Sequence, residues 1–169
     1  IPVSSEFDLG LDKDRIKDPS DAERQTRTAS HVLDRLYTSD DDRRWEMQIV
    51  ADEVGMGKTF VALAVAYSLL RHRQQHGFEG DLRGCLQNVL ILTPGSTSLF
   101  EKWKREVDEF VRRCVLPEHR EQALRWFRPS PVERIDELAL ALGQRGVGPK
   151  VVVAPMGIFS GKNLKHYDL

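Results

Sequence analysis

Apolar residues recur along this chain with two different spacings. Three short runs are almost wholly apolar and predict buried strands, at Met47–Ala51, Asn88–Thr93 and Lys150–Ala154. Longer stretches have apolar residues three and four positions apart, which predicts helices. These helices are expected at Pro19–Leu36, Lys58 to about Arg71, Thr97 or Ser98 to about Cys114, Glu118–Phe127 and Val132–Leu142. Because short apolar strands alternate with helices, the pattern predicts an α/β fold with a parallel sheet and flanking helices.

The first 18 residues show no such periodicity. They are charged and aperiodic, which predicts an N-terminal arm, residues 1–18, that is loosely attached. The boundary is expected at Asp18-Pro19-Ser20, because an aspartate can cap a helix and a proline is tolerated in its first turn. Residues 19–169 are then predicted to form one domain. Within it, Pro129-Ser130-Pro131 is expected to be a break between elements.

Composition narrows the class of protein without deciding its function. No apolar run reaches the roughly 18 residues of a membrane helix, so no membrane partner is expected. Two cysteines, Cys85 and Cys114, are typical of a reduced setting, and the expected location is cytoplasmic, nucleoid or nuclear. The net charge is −1, but residues 1–60 have 14 acidic and 9 basic side chains and the remainder has 12 acidic and 16 basic. The basic part could face phosphates, or it could be ordinary surface charge.

A glycine-rich loop is expected where the first predicted strand gives way to the helix that begins at Lys58. Glycines there allow backbone N–H groups to surround phosphate oxygens, and the helix N-terminus adds favourable electrostatics. Lys58 would reach the β- and γ-phosphates and act in catalysis, and the Thr59 hydroxyl would ligate Mg²⁺. The sequence therefore predicts an ATP and Mg²⁺ site formed by Glu53, Val54, Gly55, Met56, Gly57, Lys58 and Thr59. Asp52 stands where the general phosphate-loop pattern has its first glycine.

The segment from Ala51 to Thr59 closely resembles the first ATPase motif of Swi/Snf-type helicase-like motors, which has Ala-Asp-Glu before Gly-x-Gly-Lys-Thr. The strand at Val89–Thr93, ending in Pro94 and followed by a helix with Trp103, is similar to the family's second motif. Val151–Ala154 is similar to the next strand, although Ala154-Pro155-Met156 replaces the usual Thr-Thr-Tyr. Gln25 lies on the helix ahead of the loop, as the family's adenine-recognising glutamine does.

The resemblance implies a P-loop NTPase of the RecA-like type that acts on double-stranded DNA together with the rest of an ATPase motor. In that family, an Asp-Glu pair after a further strand completes the hydrolytic site, and an arginine comes from a second domain. The pairs available here are Asp52-Glu53 in the loop and Asp108-Glu109 and Asp136-Glu137 in predicted helices. The chain is therefore expected to be an incomplete first domain that binds nucleotide without hydrolysing it.

Two other functions remain open at this point. The chain could be a small complete P-loop kinase or nucleotide switch, or a non-enzymatic scaffold with a degenerate ATPase fold. Basic residues on the third helix, including Lys102 and Lys104, could contact DNA, but acidic neighbours make a salt-bridged exposed helix the more frequent explanation. Trp103 could stack on a base, but its spacing with Val107 and Phe110 is more typical of a core position.

Overall fold

A computed structural model describes residues 1–37, 47–51, 57–76, 88–143 and 150–160. The helices in these ranges are α1 (Pro19–Leu36), α2 (Lys58–His76), α3 (Thr97–Cys114), α4 (Pro117–Trp126) and α5 (Ile135–Gly143). The strands are β1 (Asn88–Thr93), β2 (Pro129–Pro131) and β3 (Lys150–Pro155). Short 3₁₀ helices lie at Leu9–Leu11 and Met156–Phe159. All five predicted helices are therefore present, although α2 continues five residues beyond its predicted end.

The three strands form one parallel sheet in the order β1-β3-β2. In the β1–β3 pair, Asn88 lies opposite Lys150 and Thr93 lies opposite Pro155. Successive side chains of β3 point to opposite faces, as in any strand. Val151 joins the larger apolar cluster with α2 and α3, whereas Val152 belongs to a smaller one with Leu138 of α5. Helices thus flank the sheet, and the prediction of an α/β parallel-sheet fold is confirmed.

Two predicted elements differ from the structure. Met47–Ala51 is not a strand, and Met47 and Ile49 are each 72% exposed. An apolar run forms a strand only where a neighbouring strand pairs with it, and none among the described residues does so. Conversely, the expected break at Pro129–Pro131 forms the short strand β2 beside β3. Proline lacks an N–H donor and is tolerated on an edge strand, which is where β2 lies.

Residues 1–18 are not loose. Phe7, Leu9 and Ile16 are buried, and the Phe7 ring meets Tyr67 and Phe110 edge-on. The backbone pairs with the junction between α3 and α4: Asp8 N donates to Cys114 O at 2.9 Å, and Leu116 N donates to Glu6 O at 2.9 Å. The expectation of a loose arm is wrong because these apolar residues are irregularly spaced along a segment of turns and a short 3₁₀ helix, so they produce no periodic signal.

Helix α1 brings a polar residue onto a buried face. Its first turn is capped by Asp18, whose carboxylate accepts from Ser20 N at 2.9 Å. The buried positions along α1 are three or four residues apart, which places them on one face; they are Ala22, Gln25, Ala29 and Leu33. That face packs against α2. Gln25 is therefore directed at the start of α2 rather than at solvent.

Candidate functional site

The first turn of α2 begins at Gly57. Gly57 has a φ of +80°, in the left-handed region that side chains disfavour. Its carbonyl oxygen accepts from Phe60 N at 2.9 Å and from Val61 N at 3.1 Å, which starts the helix. The next two residues, Lys58 and Thr59, lie in the first turn of α2, and the N-terminus of a helix favours anions.

The remaining predicted loop residues lie outside the described residues. These are Glu53, Val54, Gly55 and Met56, together with Asp52. Their assignment to a nucleotide site stays a prediction. The structure describes Gly57, Lys58 and Thr59 of the predicted loop, and adds Gln25 beside them.

Gln25 lies against the helix start. It is 5% exposed, and a Cβ atom added to Gly57 would come within 2.4 Å of Gln25 Nε2. The Gln25 Oε1 atom is buried and has no hydrogen-bond partner among the described residues. Buried polar atoms are normally paired, so this oxygen is a candidate acceptor for a ligand. The structure thus brings Gln25 to the loop residue Gly57, 32 positions away in sequence.

A cavity of about 430 Å³ opens beside Gln25 and the start of α2. Four segments of the chain line it: the N-terminal segment, α1, the first turn of α2, and α3. The lining residues are Asp12, Arg15, Ile16, Gln25, Gly57, Lys58, Thr59, Phe60, Lys102 and Glu106. All four described residues of the predicted site, Gln25 and Gly57 to Thr59, therefore meet at one cavity.

Arg15 crosses from the N-terminal segment to α3 on one side of this cavity. It forms ion pairs with Glu106 and Glu109 of α3 and lies 3.4 Å from Asp12. Its guanidinium also lies over the Phe60 ring, 4.3 Å from the ring centroid. Burial alone would lower the pKa of Arg15, but the hydrogen bond to Glu106 and the nearby carboxylates raise it above its ordinary value.

Sequence reasoning missed Arg15, Asp12 and Glu106 as residues of the cavity wall. Arg15 and Glu106 are 91 positions apart, and neither belongs to a recognisable local motif. The charge of the N-terminal segment predicted an exposed arm, so its residues were not expected to line the cavity. Lys102 was noted as a basic residue on α3, but its place beside Gly57 and Lys58 depends on how α3 packs.

The acidic pairs Asp108-Glu109 and Asp136-Glu137 lie on helices within the described chain. Glu109 is on α3 and pairs with Arg15. Asp136 is on α5, where hydrogen bonding to Arg134 lowers its pKa. The prediction that these pairs lie on helices is confirmed. Neither pair follows one of the described strands, whereas Asp52 and Glu53 fall outside the described residues.

The structure also answers two questions about α3. Lys104 pairs with Glu101 at 2.8 Å and Arg113 pairs with Asp14 at 2.9 Å, so part of the basic set is salt-bridged as expected. Trp103 is partly buried and packs against the main apolar cluster, which confirms it as a core residue. Arg105 and Arg112 are exposed.

These observations define the class as an α/β protein with a parallel sheet, flanking helices and a cavity at a glycine-initiated helix. Compared with known proteins, the chain is similar to the DNA repair and recombination protein RAD54B of Gallus gallus, with 36% identity over 66 residues. The match covers 37% of this chain and 6% of that protein, so the chain spans a small part of its relative. No family model and no solved structure matches the chain. Among the described residues, no helix is both long and apolar enough to span a membrane.

Proposed function

We propose that this chain is the ATP-binding portion of a helicase-like, DNA-dependent ATPase or translocase, and that it binds nucleotide without hydrolysing it. The observation that carries the proposal is the contact of the buried Gln25 with Gly57 at the start of α2, where Gln25 Oε1 has no hydrogen-bond partner among the described residues. A glycine with positive φ, a lysine and a threonine at a helix N-terminus form an anion site by general chemistry.

The described residues fit a nucleotide with magnesium. Gly57 carries no side chain, so the Gln25 carboxamide can lie directly against its backbone at the start of α2. Lys58 would hold the β- and γ-phosphates, and the Thr59 hydroxyl would hold Mg²⁺. Bound Mg²⁺ would neutralise part of the phosphate charge. Gln25 would contact the base, with the cavity of about 430 Å³ providing room for a compact ligand.

DNA dependence is supported by similarity rather than by geometry. The motif from Ala51 to Thr59 resembles that of Swi/Snf-type motors, and the local similarity to a DNA repair and recombination protein agrees with a relation to helicase-like ATPases. The partners proposed for the whole motor are double-stranded DNA and the rest of the ATPase.

Binding without turnover follows from the placement of the carboxylates. Hydrolysis needs an acid on magnesium, a group that orients water and an arginine on the γ-phosphate. Among the described residues, the cavity carboxylates Asp12 and Glu106 are ion-paired with Arg15, and Asp136 on α5 is bound by Arg134. Lys58 and Thr59 alone would therefore hold nucleotide intact.

The test is titration of a fluorescent ATP analogue with Mg²⁺ into the wild type and the Lys58→Ala variant. Loss of a charge-assisted hydrogen bond costs about 1.5–3 kcal/mol, or roughly ten- to a hundredfold in affinity. Lys17→Ala is the control, because Lys17 is exposed and is not among the cavity residues. Phosphate release is then measured with and without duplex DNA.

Equal affinity of the wild type and Lys58→Ala would refute nucleotide binding at this loop. DNA-stimulated phosphate release by the chain alone would refute binding without turnover and would favour a complete small P-loop enzyme. No nucleotide binding by the wild type would favour a scaffold.

A further inference from the structure

The nitrogen atoms of the Arg15 guanidinium already lie beside carboxylates. Its Nη1 and Nη2 atoms form ion pairs with Glu106 and Glu109, and its Nε atom lies 3.4 Å from Asp12 Oδ2. All three guanidinium nitrogens therefore face carboxylates. Further N–H groups directed at a phosphate would have to compete with these partners, so Arg15 is poorly suited to bind the anionic part of a nucleotide.

The planar face of Arg15 is the part that remains for a ligand. One face lies over the Phe60 ring at 4.3 Å, and the side chain as a whole is 34% exposed and lines the cavity. A guanidinium is flat and weakly hydrated, and it stacks on aromatic systems. The carboxylates fix its orientation, so it loses little freedom when a flat ligand stacks against it.

The residues that line the cavity fall into two chemical sets. Gly57, Lys58 and Thr59 provide backbone donors, a cation and a hydroxyl, which suit phosphates. Around Arg15 the lining includes apolar Ile16 and Phe60, and the carboxylates of Asp12 and Glu106 are ion-paired with Arg15 itself. This second set suits a neutral, flat group better than a phosphate.

A separate observation points to the same kind of ligand. Gln25 is 5% exposed and lines the cavity, and its Oε1 atom has no hydrogen-bond partner among the described residues. This oxygen is an acceptor, so it can pair with an N–H donor of a ligand. A nucleobase carries such donors, whereas a deprotonated triphosphate does not.

We propose that Arg15, held by Glu106 and Glu109, is a base-stacking residue that positions the nucleobase in this cavity. The proposal rests on the proposed nucleotide function and adds a contact from the N-terminal segment. In this proposal the segment preceding α1 contributes Arg15 to the nucleobase site.

The experiment compares two probes, ATP with Mg²⁺ and inorganic tripolyphosphate with Mg²⁺, by calorimetric titration. Arg15→Ala is expected to weaken ATP binding about three- to thirtyfold, the range that a cation–π contact provides, and to leave tripolyphosphate binding unchanged. Arg15→Lys keeps a positive charge for the carboxylates but removes the flat face, so it should weaken ATP binding similarly. Arg113→Ala is the matched control, because Arg113 also ties the N-terminal segment to α3 without being a cavity residue.

Each outcome decides the proposal. If both Arg15 variants bind ATP as the wild type does, or if tripolyphosphate binding falls in parallel, Arg15 does not stack on the base. A melting temperature is measured for every variant, and Arg15→Lys provides the answer if Arg15→Ala unfolds. If the wild type binds neither probe, the proposed nucleotide function fails and the stacking role fails with it. If Lys58→Ala loses both probes while the Arg15 variants lose neither, the stacking role fails alone.

Discussion

The carboxamide of Gln25 lies so close to Gly57 that a Cβ atom on Gly57 would come 2.4 Å from Gln25 Nε2 and 2.6 Å from Gln25 Cδ. Two elements far apart in sequence thus meet without space for a side chain between them. Gly57 serves two purposes at once, since it adopts a φ of +80° and leaves room for the glutamine. This contact couples the position of α1 to the start of α2.

Gly57→Ala is expected to destabilise the fold and to weaken nucleotide binding. The left-handed backbone alone costs an alanine roughly 1–2 kcal/mol, and the clash with Gln25 adds to it. Gly95→Ala is the control, because a Cβ atom there would meet nothing within 4 Å. The measurements are urea denaturation and ATP titration, and equal stability of both variants would contradict the role of Gly57.

A double-mutant cycle separates the two causes of the stability loss in Gly57→Ala, which are the left-handed backbone and the clash with Gln25. If the clash matters, Gly57→Ala should cost less stability in a Gln25→Ala background than in the wild type. An identical cost in both backgrounds would assign the whole effect to the backbone conformation.

Glu6 is expected to anchor the N-terminal segment to α2. Its carboxylate accepts from Tyr67 Oη at 2.9 Å and from Arg71 Nε at 2.7 Å, and the side chain is 9% exposed. Glu6→Ala leaves Arg71 with no buried carboxylate partner at this point, so a loss of about 3–5 kcal/mol in unfolding free energy is expected. Glu121→Ala removes the exposed Arg125–Glu121 pair and should cost about 0–1 kcal/mol. Similar losses in both variants, measured by urea denaturation, would contradict the anchoring role.

Cys114 is expected to be unreactive while the protein is folded. The thiol is buried, and burial, reinforced by the charge of Asp12, raises its pKa from 9.0 to about 12. Since the thiolate is the reactive form, alkylation near pH 8 should be slow in the native protein and fast in urea. A Cys85→Ser background isolates the reaction, followed by mass spectrometry. Rapid labelling of the native chain would show that Cys114 is accessible.

The raised pKa of Cys114 also predicts that the free energy of unfolding depends on pH. The folded state favours the neutral thiol of Cys114 more than the unfolded chain does. The contribution of Cys114 to the free energy of unfolding is therefore complete below about pH 9, and it is lost as the pH rises towards about 12. The difference in unfolding free energy between the wild type and Cys114→Ala should therefore shrink over that interval. A difference that stays constant with pH would contradict the raised pKa.

DNA binding by this chain is expected to be weak, independent of base sequence and strongly salt-dependent. Phosphate contacts release counterions, so affinity falls steeply as salt rises. Arg105 and Arg112 are exposed on α3, and their replacement by alanine should reduce both the affinity and the salt dependence. Anisotropy of two labelled duplexes of different sequence at two salt concentrations tests this. Tight binding that persists at high salt would contradict the prediction.

Local patterns were sufficient for the helices and for two of the three predicted strands. Helical spacing placed α1 and α3, because one buried face repeats every three or four residues whatever it packs against. Continuous apolar runs placed β1 and β3, and β3, which lies between β1 and β2, has its four central residues buried. The strand predicted at Met47–Ala51 is wrong, since a strand also needs a partner and no local pattern specifies one.

The sequence by itself determined the residue types at the loop, and from them it predicts a lysine that holds phosphate and a threonine that holds magnesium. Only the tertiary structure decided that Gln25 contacts Gly57, and that Arg15 pairs with Glu106 at the same cavity. These contacts join residues 32 and 91 positions apart. Their formation depends on which faces of α1, α2 and α3 pack together, and that choice is made by burial of apolar surface across the whole domain rather than by any local run of residues.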